Sequence, residues 1–107
     1  MVNTIKKHTL YLGLNDKDSK QQKISTVEAY KTVENLLKNN NFDGATIFEA
    51  VGLYKHDNGV YVTESTLRIE ILFSTDEKIK TLANTLKQVF NQESIALQVE
   101  SINSQLV

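Results

Sequence analysis

A turn dipeptide near the middle of the chain constrains the fold more than any other feature. Asn58-Gly59 lies between two long runs of alternating side chains, 45–55 and 60–73. Asn and Gly adopt positive φ at the lowest cost, and both central residues of a type I′ turn require it. The sequence therefore predicts a β-hairpin with a two-residue loop, in which Asp57 faces Val60.

The type I′ register assigns the hairpin side chains to two faces. Facing residues have numbers that sum to 117, so Phe48 pairs with Ile69 on an apolar face, and Glu49 pairs with Arg68 on the other. Side chains alternate with a period of two, so a shift of one residue would exchange the faces of a whole strand. Gly52 lies in the middle of the first strand, where a glycine marks a bulge or the close approach of another backbone.

Two amphipathic helices flank the hairpin. Each is preceded by a capping-box sequence, Ser25-Thr-Val-Glu28 and Ser74-Thr-Asp-Glu77. The segment 38–41 ends the first helix, because a run of asparagine favours turns and left-handed caps, and 91–93 ends the second. The apolar stripes that we expect to enter the core are Val27, Tyr30, Val33, Leu36 and Leu37 in the first helix and Ile79, Leu82, Ala83, Leu86, Val89 and Phe90 in the second.

One further strand lies outside each helix. Residues 6–14 alternate, with His8 on the same side as three leucines, and residues 94–102 alternate in the same way. The polar segment 15–23 is expected to be an exposed loop. The order β-α-β-β-α-β predicts an α+β fold, a ferredoxin-like sandwich with a four-stranded antiparallel sheet and both helices on one face. We expect strands one and three to be central and residues 1–107 to form a single domain.

The composition of the chain limits the classes of function that we expect for the protein. A formal net charge of −1 over 107 residues gives no electrostatic reason to expect nucleic acid or a membrane surface as a partner. There is no cysteine, and the two histidines lack metal-ligand spacing, so we expect no metal site and no cofactor. No apolar run approaches the ~20 residues of a membrane span, and the N-terminus lacks the apolar segment of a signal peptide. We therefore expect a cytoplasmic protein.

The face of the sheet opposite the helices, the free face, is predicted to hold the functional residues. Arg68, the only arginine, can grip a carboxylate or phosphate, or it can pair with Glu49. Glu49 and Glu70 can in principle act as an acid–base pair, but Arg68 between them would keep both ionised, so we assign no catalytic residue. Aliphatic side chains on this face favour contact with another copy of the chain, through this face or through the hairpin tip beyond it; the alternative is a solvated face. The ligand or interface candidates are Tyr11, Glu49, Val51, Leu53, Arg68 and Glu70.

Several short segments resemble a family of small, uncharacterised bacterial proteins: Leu10-Tyr-Leu-Gly-Leu14, Phe42-Asp-Gly-Ala-Thr-Ile47, Gly52-Leu-Tyr54, Glu64-Ser65 and Phe90-Asn-Gln-Glu-Ser94. This resemblance implies no activity and no catalytic residues. In fold, the chain also resembles the PII-like superfamily, whose trimers bind nucleotides or small ligands between subunits. The signalling members have a long loop between strands two and three, whereas this chain has a tight turn and no phosphate-binding motif.

Two hypotheses from different classes follow. The first is a non-enzymatic homo-oligomer, a dimer or trimer, whose free face or subunit junction makes the assembly and can hold a small ligand. The second is a small enzyme of the dimeric α+β-barrel type, in which two sheets enclose a pocket with Tyr11, Glu49 and Arg68. A trimer or a flat sheet contact favours the first hypothesis, and a dimer with a deep polar pocket favours the second. The residues alone leave open whether the protein is an enzyme.

Overall fold

The sheet is built around the two strands that the sequence places at its centre. The strand order is β2-β3-β1-β4, and every neighbouring pair is antiparallel. The predicted ferredoxin-like α+β fold is therefore confirmed, with β1 and β3 central. No helix in the described part of the chain is long and apolar enough to cross a membrane. A computed structural model describes residues 3–107, with β1 (Asn3–Gly13), α1 (Thr26–Asn39), β2 (Thr46–Lys55), β3 (Tyr61–Leu72), α2 (Asp76–Val89) and β4 (Ala96–Ser104).

The core lies between the helices and one face of the sheet. Burying an aliphatic side chain contributes roughly 1.5–3 kcal/mol, so the helix-facing residues of the two central strands fix the orientation of the sheet. Three residues of the predicted stripes, Val27, Tyr30 and Val89, are instead 60%, 41% and 53% exposed, because the apolar face of each helix is narrower than predicted. The buried cluster consists of Leu10, Leu12, Leu14, Ala29, Val33, Leu37, Leu67, Ile69, Ile71, Ile79, Leu82, Leu86 and Phe90.

The N-cap of α1 is the predicted residue, and that of α2 is one residue later than predicted. The Ser25 hydroxyl accepts a hydrogen bond from the Glu28 amide at 3.1 Å. At α2 the cap is Thr75, whose hydroxyl accepts from the amide three residues later at 3.2 Å. Phe73 has a φ of 58° at the end of β3, and Thr75 has the extended backbone of an N-cap.

Each helix is followed, one residue after its C-cap, by an asparagine in the left-handed conformation. Asn41 has a φ of 59° and Asn91 a φ of 47°. In each case the amide of the next residue, Phe42 or Gln92, donates to a carbonyl five residues earlier, at 3.0 Å and 2.9 Å. These bonds satisfy carbonyls that the helix itself leaves unpaired. The preference of asparagine for this conformation was the basis of the prediction at 38–41, which is confirmed.

The segment after β1 is anchored on the end of α2 rather than being an exposed loop throughout. Asp16 is 7% exposed. Its carboxylate accepts hydrogen bonds from the amides of Ser19 and Asp18 and from the Asn91 side chain, at 2.9, 3.0 and 2.8 Å. These bonds, first of all that from Ser19, hold the pKa of Asp16 well below its usual range. Residues 17–21 of the loop remain exposed.

The hairpin loop has three residues and not the predicted two. The His56 amide donates to the Val60 carbonyl at 2.9 Å, and the Gly59 amide donates to the His56 carbonyl at 2.9 Å. Gly59 has a φ of 85°, whereas Asn58 lacks the positive φ that a type I′ turn requires. The Asn58 side chain instead accepts from the Val60 amide at 3.0 Å. This pattern is typical of a type I turn followed by a left-handed glycine, the common three-residue hairpin loop.

The third loop residue shifts the register of β2 by one position. Ile47 pairs with Ile69 and Phe48 with Arg68, so the predicted pairs Phe48–Ile69 and Glu49–Arg68 are wrong. The faces of β3 are as predicted, and every side chain of β2 lies on the opposite face from the predicted one. β2 is an edge strand in which only Ile47 packs against the core, so few apolar contacts distinguish its two faces.

Candidate functional site

The centre of the free face is a row of side chains that crosses three strands. Arg68 on β3 pairs with Phe48 on β2 and with Tyr11 on β1. The next row places Glu70 beside Thr9. Thr9 is only 3% exposed, although it points away from the helices. We infer that the longer side chains around it lie flat over the sheet.

Arg68 is held by Phe48 and Glu70. Its guanidinium carbon lies 4.1 Å from the centroid of the Phe48 ring, within the range of a cation–π contact. Its Nε lies 3.6 Å from the nearer Glu70 oxygen, which is too long for a hydrogen bond, and that nitrogen is buried without a hydrogen-bond partner among the described residues. Lys7 Nζ lies 3.4 Å from the same Glu70 oxygen. One carboxylate therefore lies between two cations, and the guanidinium can bind a carboxylate, phosphate or carbonyl oxygen of a ligand.

The predicted site residues divide between the two faces of the sheet because the register of β2 differs from the prediction. The carboxylates of Glu49 and Glu70 point to opposite sides, so the acid–base pair considered from the sequence does not form. For the same reason, Glu49 cannot line the pocket with Tyr11 and Arg68 that the enzyme hypothesis predicted. The roles of the remaining candidates in ligand binding or assembly stay predictions. Tyr11, Arg68 and Glu70 lie on the free face as predicted, whereas Glu49, Val51 and Leu53 lie on the helix-facing side, which corrects the prediction.

The hairpin continues beyond the sheet as a two-stranded ribbon, residues 52–64. β1 pairs with β3 only as far as Thr66, so no third strand supports the ribbon. The protein is correspondingly elongated, with principal dimensions of 51 × 29 × 23 Å. Val51 at the base of the ribbon is 76% exposed and Leu53 is 65% exposed. The ribbon also exposes Tyr54, Val60 and Tyr61.

A buried histidine on the helix-facing side forms a polar cluster that the sequence did not identify. His8 is fully buried, as its place in the alternation predicted, and its Nε2 lies 2.7 Å from the Asp76 carboxylate. Lys6 Nζ lies 2.7 Å from the other carboxylate oxygen. Because a carboxylate only accepts hydrogen bonds, Nε2 carries a proton. The hydrogen bonds from Lys6 and then His8 lower the pKa of Asp76 to about 2. An aspartate in the first turn of α2 was the only sequence signal for this contact.

Two concave features of the single chain lie on the helix side. A cavity of about 130 Å³ is lined by Phe42, Lys78 and Leu82 together with neighbouring polar side chains. A more open groove of about 310 Å³ runs between α2 and the start of β4. Within residues 3–107, no group of three or more His, Cys, Asp or Glu side chains is placed to hold a metal ion. Neither of these two features is lined by side chains of the free face.

Comparison with known families identifies the chain. The profile of a family described as "Protein of unknown function (DUF3574)" matches residues 7–105. This chain belongs to the DUF3574 family. The predicted membership of a small, uncharacterised family with a PII-like fold is thereby confirmed. Among curated protein sequences, none matches this member of DUF3574.

Solved structures with the same fold include a lyase, a CutA protein and a nitrogen regulatory protein. A phage SAM lyase in complex with S-methyl-5′-thioadenosine is 21% identical, with a TM-score of 0.71, covering 94% of this chain and 85% of that one. CutA from Synechococcus elongatus PCC7942 is 12% identical, with a TM-score of 0.63, covering 96% and 81%. CPII, a nitrogen regulatory PII-like protein from Thiomonas intermedia K12 bound to ADP, AMP and bicarbonate, is 16% identical, with a TM-score of 0.61, covering 100% and 99%. At these identities the likeness shows the fold alone.

Proposed function

We propose that this member of DUF3574 is a non-enzymatic module that assembles with copies of itself and binds a small ligand where the copies meet. The observation that carries the proposal is the ribbon, an unsupported two-stranded extension with exposed apolar side chains. Neighbours of the same fold that hold small molecules, such as CPII with ADP and AMP, support the ligand part. The location in the cytoplasm stays a prediction from the sequence.

The low stability expected of an isolated ribbon favours association with a second copy. A two-stranded hairpin is at best marginally stable in water, and it needs a further strand or a packing surface. Within the described residues β1 pairs with β3 only as far as Thr66, and the base of the ribbon touches the rest of the chain through Glu64, which accepts a hydrogen bond from the Asn15 amide at 3.0 Å. Leu53 and Tyr61 are 65% and 64% exposed, so contact with a second copy would bury their apolar surface. Such burial stabilises by roughly 25 cal/mol per Å² of apolar area.

The free face offers a second contact region continuous with the ribbon. Phe48 is 37% exposed and Leu72 is 36% exposed, on either side of the Arg68–Glu70 pair. Apolar side chains around a small charged centre are typical of an interface in which aromatic and arginine residues carry much of the binding energy. A ligand at the edge of such a contact would be bound by residues of both copies.

The assembly is tested by light scattering on purified protein. We expect the wild-type mass to be a multiple of the 12.1 kDa chain, and we expect Val51→Lys and Leu53→Lys to lower it. Val89→Lys is the matched control, since Val89 is also exposed, at 53%, but lies on α2. A wild-type mass of a single chain would contradict the proposal, as would an unchanged mass in both lysine variants.

A small enzyme is the second candidate, and one observation favours it. Tyr11, Arg68 and Glu70 lie together on the free face, and the phage SAM lyase shares the fold. A second sheet placed over that face would enclose these side chains in a pocket. Incubation with S-adenosylmethionine, followed by chromatography for S-methyl-5′-thioadenosine, tests the lyase form of this candidate. No product above that of an Arg68→Ala variant would reject it.

A further inference from the structure

The sheet ends in two long edge strands, β2 and β4, that lack the usual protection against pairing with another strand. Natural edge strands are often interrupted by a bulge or a proline, because an open row of backbone donors and acceptors can bind a further strand. The chain has no proline, and both strands pair with their inner neighbours in unbroken register. Gly52 pairs regularly with Glu64, so the bulge considered from the sequence is not formed. In the part of the chain that the structure describes, both edges are therefore open.

The hydrogen-bond pattern shows which backbone groups of β4 point outward. The Leu14 amide, directly after β1, donates to the Ser65 carbonyl at 3.0 Å. Because the direction of bonding alternates along a strand, the even-numbered residues of β1 bond to β3 and the odd-numbered ones bond to β4. These odd-numbered residues pair with even-numbered residues of β4. The amides and carbonyls of Leu97, Val99 and Ser101 therefore point away from the sheet.

The same alternation determines the outward groups of β2. The His56 amide donates to the Val60 carbonyl at 2.9 Å, so the even-numbered residues of β2 bond to β3. The backbone groups of Glu49, Val51 and Leu53 consequently point outward. On both edges, the residues with outward backbone groups carry their side chains on the helix-facing side. Two such edges can pair with the helices of both chains on the same side of the joined sheet.

The helix-facing side of the β4 edge is apolar and is bordered by two lysines. Val99 is 49% exposed. The lining of the groove between α2 and the start of β4 includes Leu97 and Ala83 together with Lys80 and Lys87. Among residues 3–107, neither lysine forms an ion pair. This edge therefore suits a strand that brings apolar side chains and a negative charge.

The β2 edge has the complementary polarity and charge. Val51 and Leu53 are 76% and 65% exposed, and Glu49 beside them forms no ion pair within the described residues. Two β4 edges would bring the lysines of both copies together, and two β2 edges would bring two carboxylates together. Such contacts between like charges cost free energy. Pairing of β4 with β2 instead places opposite charges near each other.

We propose that β4 of one copy pairs with β2 of the next, so that their sheets join into one. β2 and β4 run in opposite directions within a chain, so two copies in the same orientation form an antiparallel pair. Val51 and Leu53 of one copy then cover the groove beside β4 of the other, and Glu49 approaches the two lysines. The inference rests on the proposed function, because it names the surfaces through which that module assembles.

The use of two different edges makes the contact heterologous. Every copy in a closed ring then uses both of its edges, and blocking either edge breaks every junction. Two variants that are blocked at different edges can still form a single junction with one another, through the edge that each retains. This property distinguishes the proposed pairing from the pairing of two identical edges.

The test is light scattering on proline variants of the full chain, alone and mixed. Val99→Pro removes an outward amide from β4 and Val51→Pro removes one from β2, and an edge strand tolerates proline where its N–H faces outward. We expect the wild-type mass to be a multiple of the 12.1 kDa chain and each variant alone to have the mass of one chain. An equimolar mixture should contain a species of two chains. Val99→Ile and Val51→Ile, which keep the amide, are the matched controls and should retain the wild-type mass.

An exchange of charges tests the pairing without altering the backbone. Glu49→Lys should lower the mass, and so should Lys80→Glu combined with Lys87→Glu. The three substitutions together restore opposite charges across the junction, so they should recover at least part of the wild-type mass. If a proline variant loses its circular dichroism spectrum, this exchange decides alone, and a triple variant that recovers no mass would overturn the inference.

The remaining outcomes separate this inference from the assembly. A wild type with the mass of one chain would contradict the assembly itself. An assembled wild type whose mass is unchanged in both folded proline variants would overturn the strand pairing and leave the assembly to another surface. A Val51→Pro variant that still forms dimers would indicate pairing of β4 with β4 and would also overturn the inference, as would a mixture no heavier than its two components.

Discussion

Arg68 shows how a single neighbour sets the role of a charged side chain. Opposite Glu49 it would form a neutral pair across the hairpin, whereas opposite Phe48 it stacks on an aromatic ring at 4.1 Å. Its other contact, Glu70, is shared with Lys7. The local charge is therefore positive, which suits an anionic or carbonyl group of a partner better than a second cation.

Because the pKa of Asp76 is lower in the folded protein than its ordinary value, we expect the stability of the protein to depend on pH. Hydrogen bonds from Lys6 and His8 lower its pKa to about 2 in the folded protein, from an ordinary value of 3.8. The folded state thus binds the proton more weakly than the unfolded state. The stabilisation is present above about pH 4 and is lost as the pH falls through about 2. In urea unfolding, Asp76→Asn should lower the free energy of unfolding at pH 6, and the difference from wild type should shrink between pH 4 and pH 2.

Asp43→Asn is the control for this prediction. Asp43 is exposed and makes no ion pair or side-chain hydrogen bond within residues 3–107. The free energy of unfolding of Asp43→Asn should differ little from that of the wild type at every pH. A stability difference for Asp76→Asn that stays constant down to pH 2 would mean that the carboxylate does not stabilise the fold through its charge.

The helices and the hairpin follow local sequence rules closely, and their departures are one residue in size. The α1 cap lies at the predicted serine, while the α2 cap moves from Ser74 to Thr75. The hairpin loop has a third residue. In both places the sequence offers two neighbouring solutions, and the folded structure shows which of them forms.

Removing the N-cap side chain of α2 should destabilise the protein. Thr75→Ala removes the side chain that accepts from the Lys78 amide, so it should cost about 1 kcal/mol and lower the melting temperature by roughly 4–8 °C. Ser74→Ala is the comparison, because the Ser74 hydroxyl is buried without a hydrogen-bond partner in the described part of the chain. It should be neutral or stabilising. A larger loss for Ser74→Ala than for Thr75→Ala in thermal unfolding would restore the cap predicted from the sequence.

Substitutions in the hairpin loop can distinguish a three-residue loop from a two-residue one. Gly59→Ala places a Cβ at a φ of 85° and should cost about 1–2 kcal/mol. Asn58→Ala should cost less, since Asn58 lacks a positive φ and loses only the bond to the Val60 amide. In a type I′ turn both changes would be costly. Chemical denaturation of the two variants distinguishes the loops, with Gly44→Ala as the control at a glycine that has no positive φ.

For the molecule as a whole, the feature that stands out is the apolar surface of the ribbon and its base, where Val51, Leu53, Tyr54, Val60 and Tyr61 are exposed. The core under the helices is well filled, whereas the ribbon and the free face lack a covering layer in the single chain. Such a distribution is typical of a subunit, in which part of the stabilising burial comes from association.

Association predicts a melting temperature that depends on protein concentration. Because a partner that binds only the folded state stabilises it by mass action, the melting temperature should rise as the concentration increases from about 1 μM to 100 μM. Leu53→Lys should remove this dependence, and Val89→Lys should retain it. A melting temperature independent of concentration in the wild type would argue against assembly over that range.

The sequence alone determined the order of elements, both helix regions, the central strands and the side of β3 that enters the core. These follow from periodicity and caps, which are properties of short segments. Leu10, Leu67 and Ile69 are buried on the helix side as their alternation requires. Tyr11, Arg68 and Glu70 could be placed on the free face for the same reason.

The tertiary structure decided the face of β2, and with it half of the candidate site. A two-residue and a three-residue loop differ little in local energy, and an edge strand buries too little apolar area to favour one register strongly. Glu49, Val51 and Leu53 therefore could not be assigned from the sequence. The contact of His8 with Asp76 joins residues 68 positions apart, and the Glu64 carboxylate lies against Gly13 of another strand. Both arise only when strands and helices pack together, because distances between remote side chains are set by the whole fold and not by any one segment.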